Sequence, residues 1–356
     1  MPACDSGSPP PRRRRHATME PRMPDPDPTE TPFAGLTPEA ILDAVETTGR
    51  RCGGQLLALN SYENRVYQIG LEDAPPVVAK FYRPGRWSDA AILEEHAFTA
   101  ELAGHELPVI PPLCAADGHS LFTHAGWRFA LFPCRGGRLI DLDDPERRRL
   151  LGRLLGRLHA CGATRAFQAR PALTVTHHGD ASLATLLDGQ FIPDDLVDAY
   201  RSVAGDVLER VTAAFARAGD VRQLRIHGDC HAGNLLWTDD GVHLVDLDDC
   251  LTGPAAQDLW MLLSGTREEM AQQLTEVLEG YRRFHDFDLR ELHLIEPLRG
   301  LRQLHHAAWI ARRWNDPAFP LAFPWFGGQR YWQEQVLALR EQIAALDEGP
   351  LELERF

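Results

Sequence analysis

Residues 225–250 read RIHGDCHAGNLLWTDDGVHLVDLDDC. A short apolar lead, Leu224 and Ile226, runs into His227-Gly228-Asp229, and Asn234 follows in the same loop. Leu235-Leu236-Trp237 has the residue types of a strand, Asp239-Asp240-Gly241 those of a tight turn, and Val242-His243-Leu244-Val245 those of a returning strand. Such a hairpin brings Asp246 back beside the loop that carries Asp229 and Asn234. One local unit therefore gathers two carboxylates and an amide.

That set suits phosphoryl transfer from a nucleotide. One Asp accepts or orients the proton of a substrate hydroxyl, while an Asn and a second Asp hold Mg²⁺ against the phosphates. The His-x-Asp-x-x-x-x-Asn spacing is that of a kinase catalytic loop. Asp-Gly turns and Asp/Asn loops are common on their own and usually only shape the backbone. The order of loop, strand, turn, strand and Asp-x-Asp is what points to chemistry.

The chain has 356 residues, enough for two domains or one two-lobed unit. At 44% hydrophobic and 25% charged it is globular in composition. A net charge of −14 argues against general nucleic-acid binding, which needs a basic face. No run of about 18 apolar residues is present, so no membrane span is expected. Seven cysteines, at 4, 52, 114, 134, 161, 230 and 250, form no C-x-x-C pair, which fits free thiols in a reducing compartment. Cys230 and His231 lack the spacing of a zinc site.

Residues 1–33 are Pro-rich, contain the run Arg12-Arg13-Arg14-Arg15 and have no periodicity, so a disordered extension is expected. It has no apolar segment of a secretory signal. Order is expected from about Leu36, with Thr37 capping a helix that has Pro38 in its first turn. Strands are expected over Gln55–Leu59, Arg65–Leu71 and Val77–Tyr82. The turn Asn60–Asn64 between the first two has the character of a nucleotide-covering loop, and Ser61 with the turn's backbone N–H groups could contact phosphates. Lys80, among apolar neighbours in the third strand, is the candidate phosphate-pairing lysine. On the helix that follows Ser88, either Glu94 or Glu95, with Glu95 favoured, is positioned to pair with it.

Further strands are expected over Val109–Leu113, Leu121–His124 and Trp127–Phe132. The last runs into Pro133-Cys134-Arg135-Gly136-Gly137, a suitable hinge at which adenine could sit. Helical periodicity then dominates: Leu150–Leu158, Val197–Ala218, Ala255–Leu263, Met270–Phe284, Asp288–Trp314 and Gln329–Leu346. Residues 163–180 lack a regular pattern. Asp258 is placed to brace the catalytic loop, and the Pro- and aromatic-rich stretch 315–326 could close the cleft or cover the core. The organisation is thus an α+β, protein kinase-like two-lobed fold: extension 1–33, nucleotide-binding lobe 34–133, and catalytic and substrate lobe 134–356.

The chain resembles the bacterial stress response kinase A (YihE/RdoA) family, within the aminoglycoside phosphotransferase and choline kinase-like group. The resemblance rests on Leu59-Asn60-Ser61-Tyr62-Glu63-Asn64-Arg65-Val66-Tyr67, on Lys80-Phe81-Tyr82-Arg83-Pro84-Gly85-Arg86-Trp87, on His227–Trp237 with Val245–Asp249, and on Arg312–Pro320. It implies a serine/threonine protein kinase that uses ATP and Mg²⁺, phosphorylates itself and other proteins, and counters stress-induced death in the cytoplasm. It further implies Asp229 as proton acceptor, Asn234 and Asp246 as Mg²⁺ ligands with Asp246 also an active-site residue, Ser61 at the ATP site and Lys80 on the phosphates. A monomer is expected. Two other readings share these residues. One is a small-molecule kinase acting on an amino alcohol or aminoglycoside-type acceptor, for which an acidic, aromatic-lined pocket would be suited. The other is a nucleotide-binding scaffold, which has no need for Asp229.

Overall fold

The computed structural model describes residues 31–353 apart from Asp240. Residues 1–30, with the arginine run, lie outside the described residues, as does Asp240 of the expected turn. Residues 31–33, expected to belong to the extension, are among the described residues. The Phe33 ring stacks on Trp127, with centroids 6.0 Å apart, and Arg65 lies over its face.

Helix α1 (Pro38–Glu46) starts at Thr37, whose hydroxyl accepts from Ala40 N–H. It is followed by β1 (Cys52–Ala58), β2 (Arg65–Leu71), β3 (Val77–Phe81), α2 (Asp89–Gly104), β4 (Phe122–His124) and β5 (Trp127–Pro133). The strands form one antiparallel sheet in the order β1-β2-β3-β5-β4. Alternation along β3 sends Ala79 and Phe81 to the face covered by α1, where Ile41, Ala44 and Val45 meet Ile69 and Phe129. Lys80 takes the opposite face, toward α2. It sits on an interior strand, opposite Val66 and Ala130, so it is not an edge lysine.

The expected strand Val109–Leu113 does not form. Pro108, Pro111 and Pro112 remove donors from this run, which makes a parallel bridge from Val109 to Leu244 and a bond from Leu113 N–H to Leu131 O but joins no ladder.

After β6 (Arg138–Leu139) the chain is mainly helical: α3 (Pro145–Gly162), α4 (Ala181–Asp188) and α5 (Val197–Ala218). A single π-helical turn, Thr176–Asp180, leads into α4, in and beyond a stretch expected to be irregular. Then come β7 (Leu224–Ile226), β8 (Leu235–Thr238), β9 (Gly241–Leu244), β10 (Leu251–Gly253), α6 (Ala256–Trp260), α7 (Arg267–Tyr281), α8 (Ile295–Arg312), α9 (Ala318–Ala322) and α10 (Gln329–Asp347). A 3₁₀ segment, Leu289–Leu294, precedes α8, so Pro297 falls in the first turn of that helix, where its missing N–H costs nothing. One apolar core runs through α3 to α10, with Leu155, Tyr200, Leu274, Leu304 and Trp332 fully buried. Helices α3 and α7 touch backbone to backbone. A Cβ at Gly152 would overlap Val277 O, and one at Gly280 would overlap Arg149 O. The result is an α+β fold of the kinase-like type: a small β-rich lobe joined through β5 and β6 to a larger helical one. Among the described residues no helix is long and apolar enough to cross a membrane.

Candidate active site

Strands β7 and β10 pair antiparallel, Ile226 opposite Leu251, while β8 and β9 form the hairpin foreseen around Asp239 and Gly241. The loop 227–234 leaves β7, and the segment 246–249 enters β10, so the two lie side by side. Gly228 makes this possible. Its φ is +85°, and a Cβ there would overlap the carbonyl oxygen of Asp249.

Buried groups hold the loop backbone. Asp258, fully buried, accepts from the N–H groups of His227 and Gly228, both at 2.8 Å, and from His159 Nε2 at 3.0 Å. Tyr281 donates to His159 Nδ1 at 2.8 Å, which fixes the imidazole from behind. His227 donates from Nε2 to Val245 O at 3.0 Å and accepts at Nδ1 from Asp229 N–H at 3.3 Å. Asn234 donates from Nδ2 to Asp229 O at 2.9 Å, and Val245 N–H donates to Asn234 O at 3.1 Å. With Nδ2 so committed, Oδ1 of Asn234 is the atom left for a cation. Asp246, next in the chain, has φ +59° and ψ +66°, and its side chain is 58% exposed. A non-glycine residue held in this left-handed region is common at functional sites. An amide oxygen and an accessible carboxylate on adjacent segments make a donor set suited to a hard divalent cation.

The Asp229 carboxylate meets Arg302 at 2.8 Å and His231 Nε2 at 3.5 Å. Burial opposes its ionisation, but His231, Arg302 and His227 outweigh that and hold it below the ordinary carboxylate range. It is therefore ionised at neutral pH. Arg302 is a contact that sequence reasoning missed, because it lies on a helix far along the chain with no motif around it.

Lys80 is buried among carboxylates. Its Nζ lies 2.9 Å from Asp248, 3.3 Å from Asp246 and 3.4 Å from Glu95. Burial alone would neutralise it, but these acids raise its pKa well above the ordinary lysine value. Glu94 turns away and accepts from the N–H groups of Gln168, Ala169 and Arg170 at 2.6, 2.8 and 2.8 Å. Burial raises Glu95 to about 7, against the pull of Lys80, and its Oε2 has no hydrogen-bond partner among the described residues. Asp248 is also held by Arg86 and by Asn64 Nδ2 at 3.1 Å, so it ties the two lobes together.

Ser61 lies in the β1–β2 loop, and its neighbours anchor that loop to the helical lobe. Glu63 accepts from Trp309 Nε1 at 2.7 Å and forms ion pairs with Arg313 Nε at 2.5 Å and Arg83 Nε at 2.9 Å. Asp316 pairs with Arg83 at 2.7 Å and Arg65 at 2.9 Å. The Tyr62 ring lies 5.2 Å from Phe323 and 6.5 Å from Phe319. The aromatic stretch 315–326 thus seats the β1–β2 loop, through a network that only long-range contacts create.

A β-sheet lobe with a buried Lys–Glu pair, facing an Asp/Asn/Asp constellation on a helical lobe, defines a phosphotransferase of the kinase-like class. The phosphotransferase enzyme family (APH) matches residues 55–295. Stress response kinase A of Salmonella choleraesuis is 45% identical over 321 residues, covering 90% of this chain and 97% of that one. The serine/threonine protein kinase RdoA of Salmonella typhimurium is likewise 45% identical, with the same coverage. Among solved structures, amicoumacin kinase hAmiN, in complex with AMP-PNP, Ca²⁺ and Ami, superposes with a TM-score of 0.66 at 19% identity, over 88% of this chain and 95% of that one. The chain belongs to the stress response kinase A family of phosphotransferases.

Proposed function

We propose that the protein is an ATP- and Mg²⁺-dependent serine/threonine protein kinase that also phosphorylates itself, acting as a cytoplasmic monomer in stress protection. The observation that carries the reading is that Asp229, Asn234 and Asp246 sit on adjacent segments and that Lys80, paired with Glu95, reaches Asp246 from the other lobe. The names of the 45%-identical relatives support a protein acceptor and a stress role.

In this reading Asn234 and Asp246 would hold Mg²⁺, which when bound would supply charge neutralisation at the phosphates of ATP. Lys80 orients the phosphates and is itself kept charged by Glu95 and Asp248. Ser61 and its loop cover the nucleotide, held down through Glu63 and Asp316. Asp229 accepts the proton of the acceptor hydroxyl as its oxygen bonds to the γ-phosphorus and the bond to ADP breaks. A strong base is not required, because proton transfer comes late in a loose transition state. The small-molecule alternative differs only in the acceptor. A cationic amino alcohol or aminoglycoside would meet Arg302 beside Asp229, which disfavours that alternative.

The test is transfer of label from γ-labelled ATP, with Mg²⁺, to the protein itself and to a general protein acceptor, beside Asp229→Asn. Label on Ser or Thr that disappears in the variant supports the reading. Label found only on a small hydroxyl compound overturns the protein-kinase assignment and leaves the site roles in place.

A further inference from the structure

One face of helix α8 runs from Asp229 toward the β1–β2 loop. Arg302, His305, His306, Trp309, Arg312 and Arg313 recur at the spacing of a single helical stripe. The stripe starts at Asp229, which Arg302 meets at 2.8 Å, and ends at Glu63, which Trp309 and Arg313 meet at 2.7 and 2.5 Å. Opposite it stands the π-helical turn with His177 and His178. The His178 ring lies 4.7 Å from that of His305 and 5.0 Å from that of His177. A single π-helical turn is often found where function requires it.

The charge balance of this wall is one-sided. Arg312 bonds only to uncharged groups, Thr185 Oγ1 at 3.3 Å, Ala181 O at 3.4 Å and Ser182 Oγ at 3.5 Å, and has no ion pair among the described residues. The imidazoles of His178, His305 and His306 are held neutral. Burial first, then the positive charge of their neighbours, including Arg302 and Arg312, lowers His178 to about 4 and His305 to about 2. His306 is lowered by burial and by Arg302, with Asp229 opposing. The carboxylates at hand are Asp229 and Glu63, at the two ends. Asp180, on the histidine turn, is exposed and pairs with none of these groups.

We propose that this strip is the acceptor subsite, and that it selects a hydroxyl carried on an anionic segment: a Ser or Thr with acidic residues beside it. The inference rests on the protein-kinase reading and specifies its substrate class. Arg302 has a defined part in it. While it pairs with Asp229 it keeps the proton acceptor occupied. An incoming carboxylate competes for the guanidinium and releases Asp229 toward the hydroxyl, whereas a basic segment leaves the pair closed and is itself repelled. Arg302 and Arg312 are ten residues apart on the helix, about 15 Å at 1.5 Å per residue. An extended peptide covers that in about five residues, so the selected acidic positions lie within roughly five residues of the phosphorylated hydroxyl.

The experiment uses the full chain with labelled ATP and Mg²⁺ on Ser/Thr peptide libraries in which one flanking position at a time is fixed as Asp/Glu, Ala or Lys/Arg. The expected result is at least about tenfold higher kcat/KM for acidic over basic sets. That ratio should collapse in Arg312→Gln and shift in Arg302→Lys. Selection of basic or neutral sets, or an acidic preference unchanged in both variants, overturns the inference. Fluorescence anisotropy with a labelled Asp/Glu-rich serine peptide and its Lys-rich counterpart reads the charge preference without turnover. Binding of the acidic probe alone, with no peptide phosphorylated, would remove the protein-kinase reading and leave the anionic subsite. Equal or tighter binding of the Lys-rich probe would overturn the subsite whatever the reaction.

Discussion

Asp258→Asn removes the charge that holds the catalytic loop without changing side-chain volume. The native carboxylate accepts three hydrogen bonds, two from backbone N–H groups at 2.8 Å and one from His159 at 3.0 Å, in a fully buried position. Hydrogen bonds to a charged acceptor contribute about 1.5–3 kcal/mol each, and an orphaned buried N–H costs about as much. An Asn amide offers one oxygen and turns its NH₂ toward another donor, so at least one bond is lost and a clash of donors replaces it. The expected cost is about 3–5 kcal/mol, or roughly 4–7 °C in melting temperature for a chain of this length. Because the bonded N–H groups belong to His227 and Gly228, next to Asp229, kcat should fall about 100-fold through misplacement. ATP affinity should change far less, since Lys80 and the loop that carries Ser61 are anchored by groups other than Asp258. Thermal unfolding with steady-state kinetics checks both effects. Tyr281→Phe, which touches only the far side of His159, should cost about 1 kcal/mol and little rate. An Asp258→Asn protein that melts with the wild type and keeps its kcat would refute the bracing argument.

Glu63→Ala leaves Arg83 and Arg313 without their shared carboxylate and Trp309 without its acceptor, so the β1–β2 loop should loosen and KM for ATP should rise about tenfold or more, with kcat less affected. Burial raises Glu95 above its unfolded value, so the folded state holds its proton longer than the unfolded state does. Its contribution to stability is fully present below about pH 4.5 and is lost as pH rises through about 7. Denaturant unfolding of wild type and Glu95→Gln should therefore show the wild type losing ground to the variant between pH 5 and 8; a trend of opposite sign would contradict the assignment. Gly280→Ala forces a methyl into Arg149 O and should destabilise by about 1–3 kcal/mol in urea titration, while KM for ATP stays near wild type.

The parts of the molecule that were legible in the sequence are local. The hairpin 235–244 announces itself through its Asp-Gly turn, and α1 through Thr37 and Pro38, because the signal lies within a few residues. The α+β kinase-like fold follows from strand patterns giving way to helical ones, and the family resemblance agrees with the relatives found. Val109–Leu113 misled because apolar content outweighed three prolines that cannot donate to a ladder. The π-helical turn 176–180 has no propensity signature of its own; tertiary contacts with α8 hold it. The network around Glu63 and Asp316 joins residues some 250 positions apart, and Arg302 meets Asp229 across 73 positions. Pairings of that kind depend on where helices dock, which periodicity does not encode.

The central claim is a division of labour between two carboxylates, and one paired measurement addresses it. Nucleotide affinity and γ-phosphate transfer are measured on wild type, Asp229→Asn and Asp246→Asn, each shown to be folded by its melting curve. The account predicts that Asp229→Asn binds ATP-Mg²⁺ within a few-fold of wild type and transfers almost no phosphate. Asp246→Asn should lose the Mg²⁺-dependent part of nucleotide binding together with turnover. An Asp229→Asn protein that still transfers phosphate at near the wild-type rate, or a folded Asp246→Asn protein whose ATP binding still responds fully to Mg²⁺, would contradict it.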